Sequence, residues 1–296
     1  MTTFPQPQPA RAEPPVHPDH DRGLEFDVRT LLARRSALGL ISGAGLLALV
    51  GCADGSAASG SSSATTASST TSASGTATAA ATASTAVDTE VPDETGGPYP
   101  GDGSNGANVL DDSGIVRQDI ASSFGTSTTS AAGTPLTVNL TVTDSGNGYA
   151  AMEGVAVYLW HADAQGRYSM YSQGVEQENY LRGVQPTNAS GTATFTTVFP
   201  GCYDGRWPHI HFEVYRSTAE ATSSGPIVKT SQIALPQAAC EAVYADTSTY
   251  PSSTANLSRT SLTQDMVFGD DGGIHQLATV TGDANSGYVA NLTIGV

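Results

Sequence analysis

Two histidines set two residues apart, His209 and His211, lie in the alternating run His209-Ile-His-Phe-Glu-Val-Tyr215. On a β-strand, side chains at i and i+2 leave the same face. Both imidazoles therefore point one way, while Ile210, Phe212 and Val214 point the other, toward a core. Two neutral imidazoles side by side suit chelation of a metal ion. The same spacing also fits a pair of surface or core histidines, so neighbouring residues must decide. Tyr203 follows the turn Pro200-Gly-Cys, six residues before His209. Tyr168 follows Gly166-Arg167, just beyond a strand that starts at Val155. A phenol ordinarily ionises at about pH 10, but a bound cation of high charge can deprotonate it. Two phenolates and two imidazoles suit a hard, highly charged ion such as Fe(III). With hydroxide as a fifth ligand the charges would balance. Taken singly, each of the 11 tyrosines is as well explained by core packing with a hydrogen-bonded tip.

Taken together, three segments are more specific. Gly166-Arg-Tyr168, Pro200-Gly-Cys-Tyr203 and Arg206-Trp-Pro-His209-Ile-His211 resemble, in that order, the motifs of the intradiol ring-cleavage dioxygenases, the family of catechol and protocatechuate dioxygenases. Glu94-Thr-Gly-Gly-Pro-Tyr99 and Gly114-Ile-Val-Arg-Gln-Asp-Ile120 resemble that family's N-terminal edge of the site, and the likeness extends over most of 94–296. The resemblance implies non-haem Fe(III) with Tyr168 and His209 as equatorial ligands and Tyr203 and His211 as axial ones. It implies that a catechol displaces Tyr203, which acts as a base, and that Arg206 steadies negative charge on the substrate. Gln232, in Lys229-Thr-Ser-Gln-Ile233, resembles a family glutamine beside the substrate. The implied reaction opens a catechol ring between its two hydroxylated carbons, places both atoms of O2 in a muconate-type diacid and needs no external reductant. A non-catalytic, metal-containing binding module on the same fold is the alternative. A zinc enzyme fits the donor set poorly. His161 and His275 are expected to take no ligand role.

The elements that must position these residues are strands. Leu136–Val142, Val155–Trp160, Ala193–Phe199, His209–Tyr215 and Gly287–Ile294 alternate, with Gly, Asn, Asp and Pro between them. No long helical pattern separates them, which favours an all-β sandwich with long loops over a βαβ fold. Leu235–Tyr244 suits one short helix, and Asn256–Phe268 suits a long loop with a helical turn.

Composition agrees with this class. The chain has 296 residues, 32 of them Gly and 16 Pro, with 14% charged residues and a net charge of -16. That acidity argues against a nucleic-acid partner, because phosphate binding needs a basic face. No stretch of about 20 apolar residues exists to span a membrane. Arg34-Arg35 precede an uncharged stretch, Ala37–Val50, of signal-peptide length, and Leu49-Val-Gly-Cys52 resembles a bacterial lipobox. Residues 1–51 are therefore expected to be a twin-arginine-type lipoprotein signal, with the exported protein anchored at the cell surface through a lipidated Cys52. From 53 to 86 every residue except Asp54 is Ala, Ser, Thr or Gly, which predicts a flexible, disordered linker over 52–86. Residues 87–296 are the expected domain. Cys202 and Cys240 make an even pair suited to a disulfide in an oxidising compartment. The long helical N-terminal segment by which catechol-cleaving relatives dimerise has no counterpart here, so a monomer is expected.

Overall fold

A period of two gives each strand one apolar face, and two sheets bury such faces by closing on each other. That arrangement is found in the computed structural model, which describes residues 87–296. The expected signal segment, the linker and Cys52 lie outside the described residues. The strands are β1 (Pro135–Asp144), β2 (Ala150–Ala151), β3 (Ala156–Trp160), β4 (Arg182–Pro186), β5 (Thr192–Val198), β6 (His209–Tyr215), β7 (Ile227–Ala234), β8 (Thr279–Asp283) and β9 (Gly287–Gly295). Three short helices interrupt them: α1 (Thr218–Ala221), α2 (Gln237–Tyr244) and α3 (Ser253–Leu257). None of these helices is long and apolar enough to cross a membrane.

One sheet runs β2-β1-β9-β8, with β5 also paired to β1; the other runs β4-β3-β6-β7. The second sheet is antiparallel throughout, with Trp160 opposite His211 and His211 opposite Gln232. In the first, β1 and β9 run parallel from Leu136↔Tyr288 to Thr143↔Gly295. Between the sheets lies the main core, where Ile210, Phe212 and Val214 of β6 meet Leu136, Val138 and Leu140 of β1. A second apolar layer covers the outer face of the four-stranded sheet and contains Tyr158, Trp160, Tyr168 and Val184. Every residue of β6 is therefore buried, on both faces.

All five strands expected from alternation are present, and α2 fills the expected helical stretch. Strand β4, Arg182-Gly-Val-Gln-Pro, shows no usable alternation because it is buried on both faces over its first half. The turn of helix at α1 also had no periodic signal; Ser217 caps it by accepting from the Glu220 N–H. The expected disulfide is not formed. Cys202 and Cys240 are both buried free thiols. Each sulfur is turned toward a backbone carbonyl, Cys202 Sγ toward Arg206 O at 3.5 Å and Cys240 Sγ toward Leu235 O at 3.9 Å. Burial raises the Cys202 thiol to about 12, so it packs as a small neutral side chain.

Candidate metal centre

The outward face of β6 brings His209 and His211 side by side, with their Nε2 atoms 3.1 Å apart. Two loops supply the phenols. Tyr168 comes from the β3–β4 connection and Tyr203 from the β5–β6 connection. Glycine permits their close approach: Gly166 has φ +80°, and a Cβ there would lie 2.9 Å from Tyr203 Cβ. A Cβ at Gly201 would meet the Ala164 carbonyl at 2.5 Å. The Tyr168 hydroxyl stands 3.1 Å from His211 Nε2 and 3.5 Å from His209 Nε2. The Tyr203 hydroxyl is 3.2 Å from His209 Nε2. All four expected ligands thus converge.

These separations fit a shared cation. Donors bound to one ion at about 2 Å each stand roughly 3 Å apart, and these four are separated by 3.1 to 3.5 Å. No group of three or more His, Cys, Asp or Glu side chains capable of holding a metal occurs among the described residues. Only with its phenols is this donor set complete, and two phenolic oxygens favour a hard, highly charged ion.

Both imidazoles are held in the neutral form. Burial, followed by the charge of Arg206, holds His209 well below the ordinary histidine range. Burial, followed by the neighbouring His209, does the same for His211. His209 Nδ1 is 2.5 Å from the Trp207 carbonyl. A carbonyl can only accept, so Nδ1 carries the proton and Nε2 presents its lone pair.

Arg206 lies beside the cluster, and its ion-pair partner is buried. Asp204 pairs at the surface with Arg259. The Arg206 guanidinium is 1% exposed and forms an ion pair with the fully buried Asp265, Nε to Oδ2 at 3.0 Å. It donates through Nη2 to Gln232 Oε1 at 2.6 Å, and its Nη1 lies 3.5 Å from His209 Nε2. Gln232 in turn donates to the Thr95 carbonyl. Gln232 is therefore at the site, as a link between Arg206 and the N-terminal segment. Asp265 was not anticipated; its only trace in the sequence is an acid before the apolar triplet Met266-Val-Phe268. Its carboxylate also accepts from the backbone N–H groups of Trp207, Val267 and Phe268.

The segment Glu94–Tyr99 runs along the site as expected. The Tyr99 ring packs 5.1 Å from that of Tyr168. Buried Arg182, which carried no motif, fastens this segment to the Tyr168 loop by donating to the carbonyls of Tyr99, Pro100 and Ser169. Gly114–Ile120 instead lies against β4, with Arg117 N–H donating to Val184 O, and contributes no side chain to the four-ligand cluster. His161 is buried and hydrogen-bonded to Ala162 and Thr197, clear of that cluster.

Residues 116–209 match a family model described as Dioxygenase, a span that contains Tyr168, Tyr203 and Arg206 and ends on His209. The fold is similar to that of an intradiol ring-cleavage dioxygenase from Tetranychus urticae, at 25% identity over 62% of this chain and 87% of that one, with a TM-score of 0.51. In its matched residues and its fold this chain is similar to the intradiol ring-cleavage dioxygenases, which are oxidoreductases. Other similar structures are the dioxygenase domain of a dioxygenase carbohydrate-binding protein fusion from Streptomyces sp. SirexAA-E (24% identity, 70% of this chain and 98% of that one, TM-score 0.43). A 3-chlorocatechol 1,2-dioxygenase from Rhodococcus opacus 1CP matches at 16% identity over 56% and 60%, with a TM-score of 0.38. No curated protein sequence matches significantly.

Proposed function

We propose that this protein is a ferric intradiol dioxygenase that acts on catechol-type substrates outside the cytoplasm. The convergence of Tyr168, Tyr203, His209 and His211 within 3.1 to 3.5 Å carries the reading. Ferric iron at these four residues would withdraw electron density from a bound catecholate and so open it to O2. The protein's own residues do the rest. Tyr203 is the ligand left partly exposed, where Tyr168, His209 and His211 are each only 3% exposed. Its phenolate is placed to leave and to take a hydroxyl proton from an entering catechol. Arg206, held rigid by Asp265 and Gln232, sets a fixed positive charge beside the ligand cluster. Such preorganised charge stabilises negative charge that develops on the substrate. The ring of Tyr99 packs against that of Tyr168 beside the cluster.

Export through the Arg34-Arg35 signal, anchoring through Cys52 and a monomeric body belong to the same proposal. They would present the enzyme to catechols at the cell surface, including bulky fragments of plant polymers. The deciding experiment is O2 consumption by purified protein with a panel of catechols, with product mass followed in parallel. A burgundy protein whose diacid product has the mass of the substrate plus O2 supports the reading. A coloured protein with no catechol-dependent O2 uptake supports a binding module, and a colourless zinc protein overturns the ferric assignment. Activity only on unsubstituted catechol would count against polymer fragments. Cys52→Ala releasing the protein from cells tests the anchor.

A further inference from the structure

The two histidines of the cluster are held in different ways. His209 is anchored by a polar bond from Nδ1 to the Trp207 carbonyl. Trp207 is itself fixed, its N–H donating to Asp265 at 2.6 Å and its indole N–H to Leu235 O at 2.8 Å. The Nδ1 of buried His211 has no hydrogen-bond partner among the described residues. Metal-binding histidines ordinarily use that second nitrogen to set the orientation of the ring. What His211 has instead is a flat neighbour. The Trp160 ring lies parallel to it, 4.9 Å away at 7°. Trp160 is in turn stacked on Tyr158, at 4.9 Å and 21°, and the Tyr158 hydroxyl is pinned between Arg182 and the Pro100 carbonyl.

The Trp160 indole N–H is buried without a partner among the described residues as well. A buried donor without an acceptor is costly, and a phenyl or aliphatic side chain would avoid that cost. The indole is therefore used for its face. That face is broad and electron-rich, suited to an imidazole that a bound cation has polarised. The register supports this: β3 sets Trp160 directly opposite His211 on β6, so both rings leave the same face of one sheet.

We infer that Trp160 is the positioning residue for the metal ligand His211, holding its ring by stacking where His209 is held by a hydrogen bond. The inference rests on the ferric reading. Its test compares Trp160→Phe, which keeps a stacking ring, with Trp160→Met, which keeps apolar volume but has no ring. Iron affinity of the full-length chain is measured by competition with a chelator, beside the melting temperature of the iron-free protein. With similar melting temperatures, the Met variant should bind iron roughly tenfold or more weakly, the scale typical of residues that support a metal ligand, and the Phe variant should stay near wild type. Equal affinity in the two variants overturns the inference. In the unsubstituted protein loaded with Ga(III), a diamagnetic counterpart of Fe(III), NMR should show the His211 ring protons shifted upfield by the indole. Of the two cluster histidines, only His209 should show a slowly exchanging ring N–H. A slowly exchanging His211 ring N–H, or no upfield shift, would overturn it even if neither variant folds. Unsubstituted protein that takes up no iron would remove the ferric reading and this inference together.

Discussion

His209 and His211 differ from most paired histidines because their tips meet two phenols, and Tyr203 and His211 each make a distinct prediction. Tyr203→Phe removes the partly exposed base but leaves three buried ligands. Turnover should fall by more than roughly tenfold, within the range for losing a general base, while most of the iron stays bound. Unchanged turnover would contradict the role given to Tyr203. His211→Ala should abolish stoichiometric iron binding, read by metal analysis. Asp265→Asn keeps the shape of the side chain but leaves the buried Arg206 charge without its counterion. Breaking a buried pair from one side costs about 3–5 kcal/mol, so urea unfolding should register a loss of that size. His161, the other buried histidine near β3, lies outside the four-residue cluster and matters at a larger scale.

At the scale of elements, the site depends on two loops and a strap that strands hold in place. Gly166 permits the β3–β4 loop to pass Tyr203 with a positive φ, and an added methyl there meets Tyr203 Cβ. Gly166→Ala should therefore move the two phenols apart and weaken the charge-transfer colour, even in protein that folds. Undiminished colour would show that the loops yield at no cost. Arg182 joins the strap at Tyr99-Pro100 to Ser169, the residue after Tyr168. Arg182→Met leaves several buried acceptors without a donor, and the expected loss is more than about 3 kcal/mol, measurable by denaturant. Much of this level was legible beforehand: alternation marked β1, β3, β5, β6 and β9. Strand β4 was not, because burial on both faces erases the period on which such reading depends.

For the molecule as a whole, acid stability depends on the buried histidines; His209 and His211 are held low, and outside their cluster so is His161. Burial lowers it from 6.5 to about 4. Above pH 6.5 both folded and unfolded chains leave it neutral, and it contributes nothing to the pH dependence. Below that, the unfolded chain takes up a proton that the folded chain refuses, so stability falls with pH until about pH 4. The loss attributable to this residue is about 3 kcal/mol. Unfolding of the iron-free protein at pH 7.5, 6 and 5 should show it, and His161→Gln should flatten the slope. Equal slopes in the two proteins would mean that His161 is not the group responsible.

Local pattern determined what depends on near neighbours. The period of two named the strands and put His209 and His211 on one face with Ile210, Phe212 and Val214 on the other, as the core confirms. The ordered motifs around Tyr168, Tyr203 and Arg206 picked out side chains that converge with the two histidines. Tertiary structure alone decided who stands behind it. Asp265 reaches Arg206 across 59 residues of chain, and Arg182 reaches Pro100 across 82. Such partners are chosen by where loops close over a sheet, and no spacing in the sequence encodes that distance. For the same reason, an even count of cysteines could suggest a bridge between Cys202 and Cys240, yet the packing turned each sulfur to a carbonyl of its own.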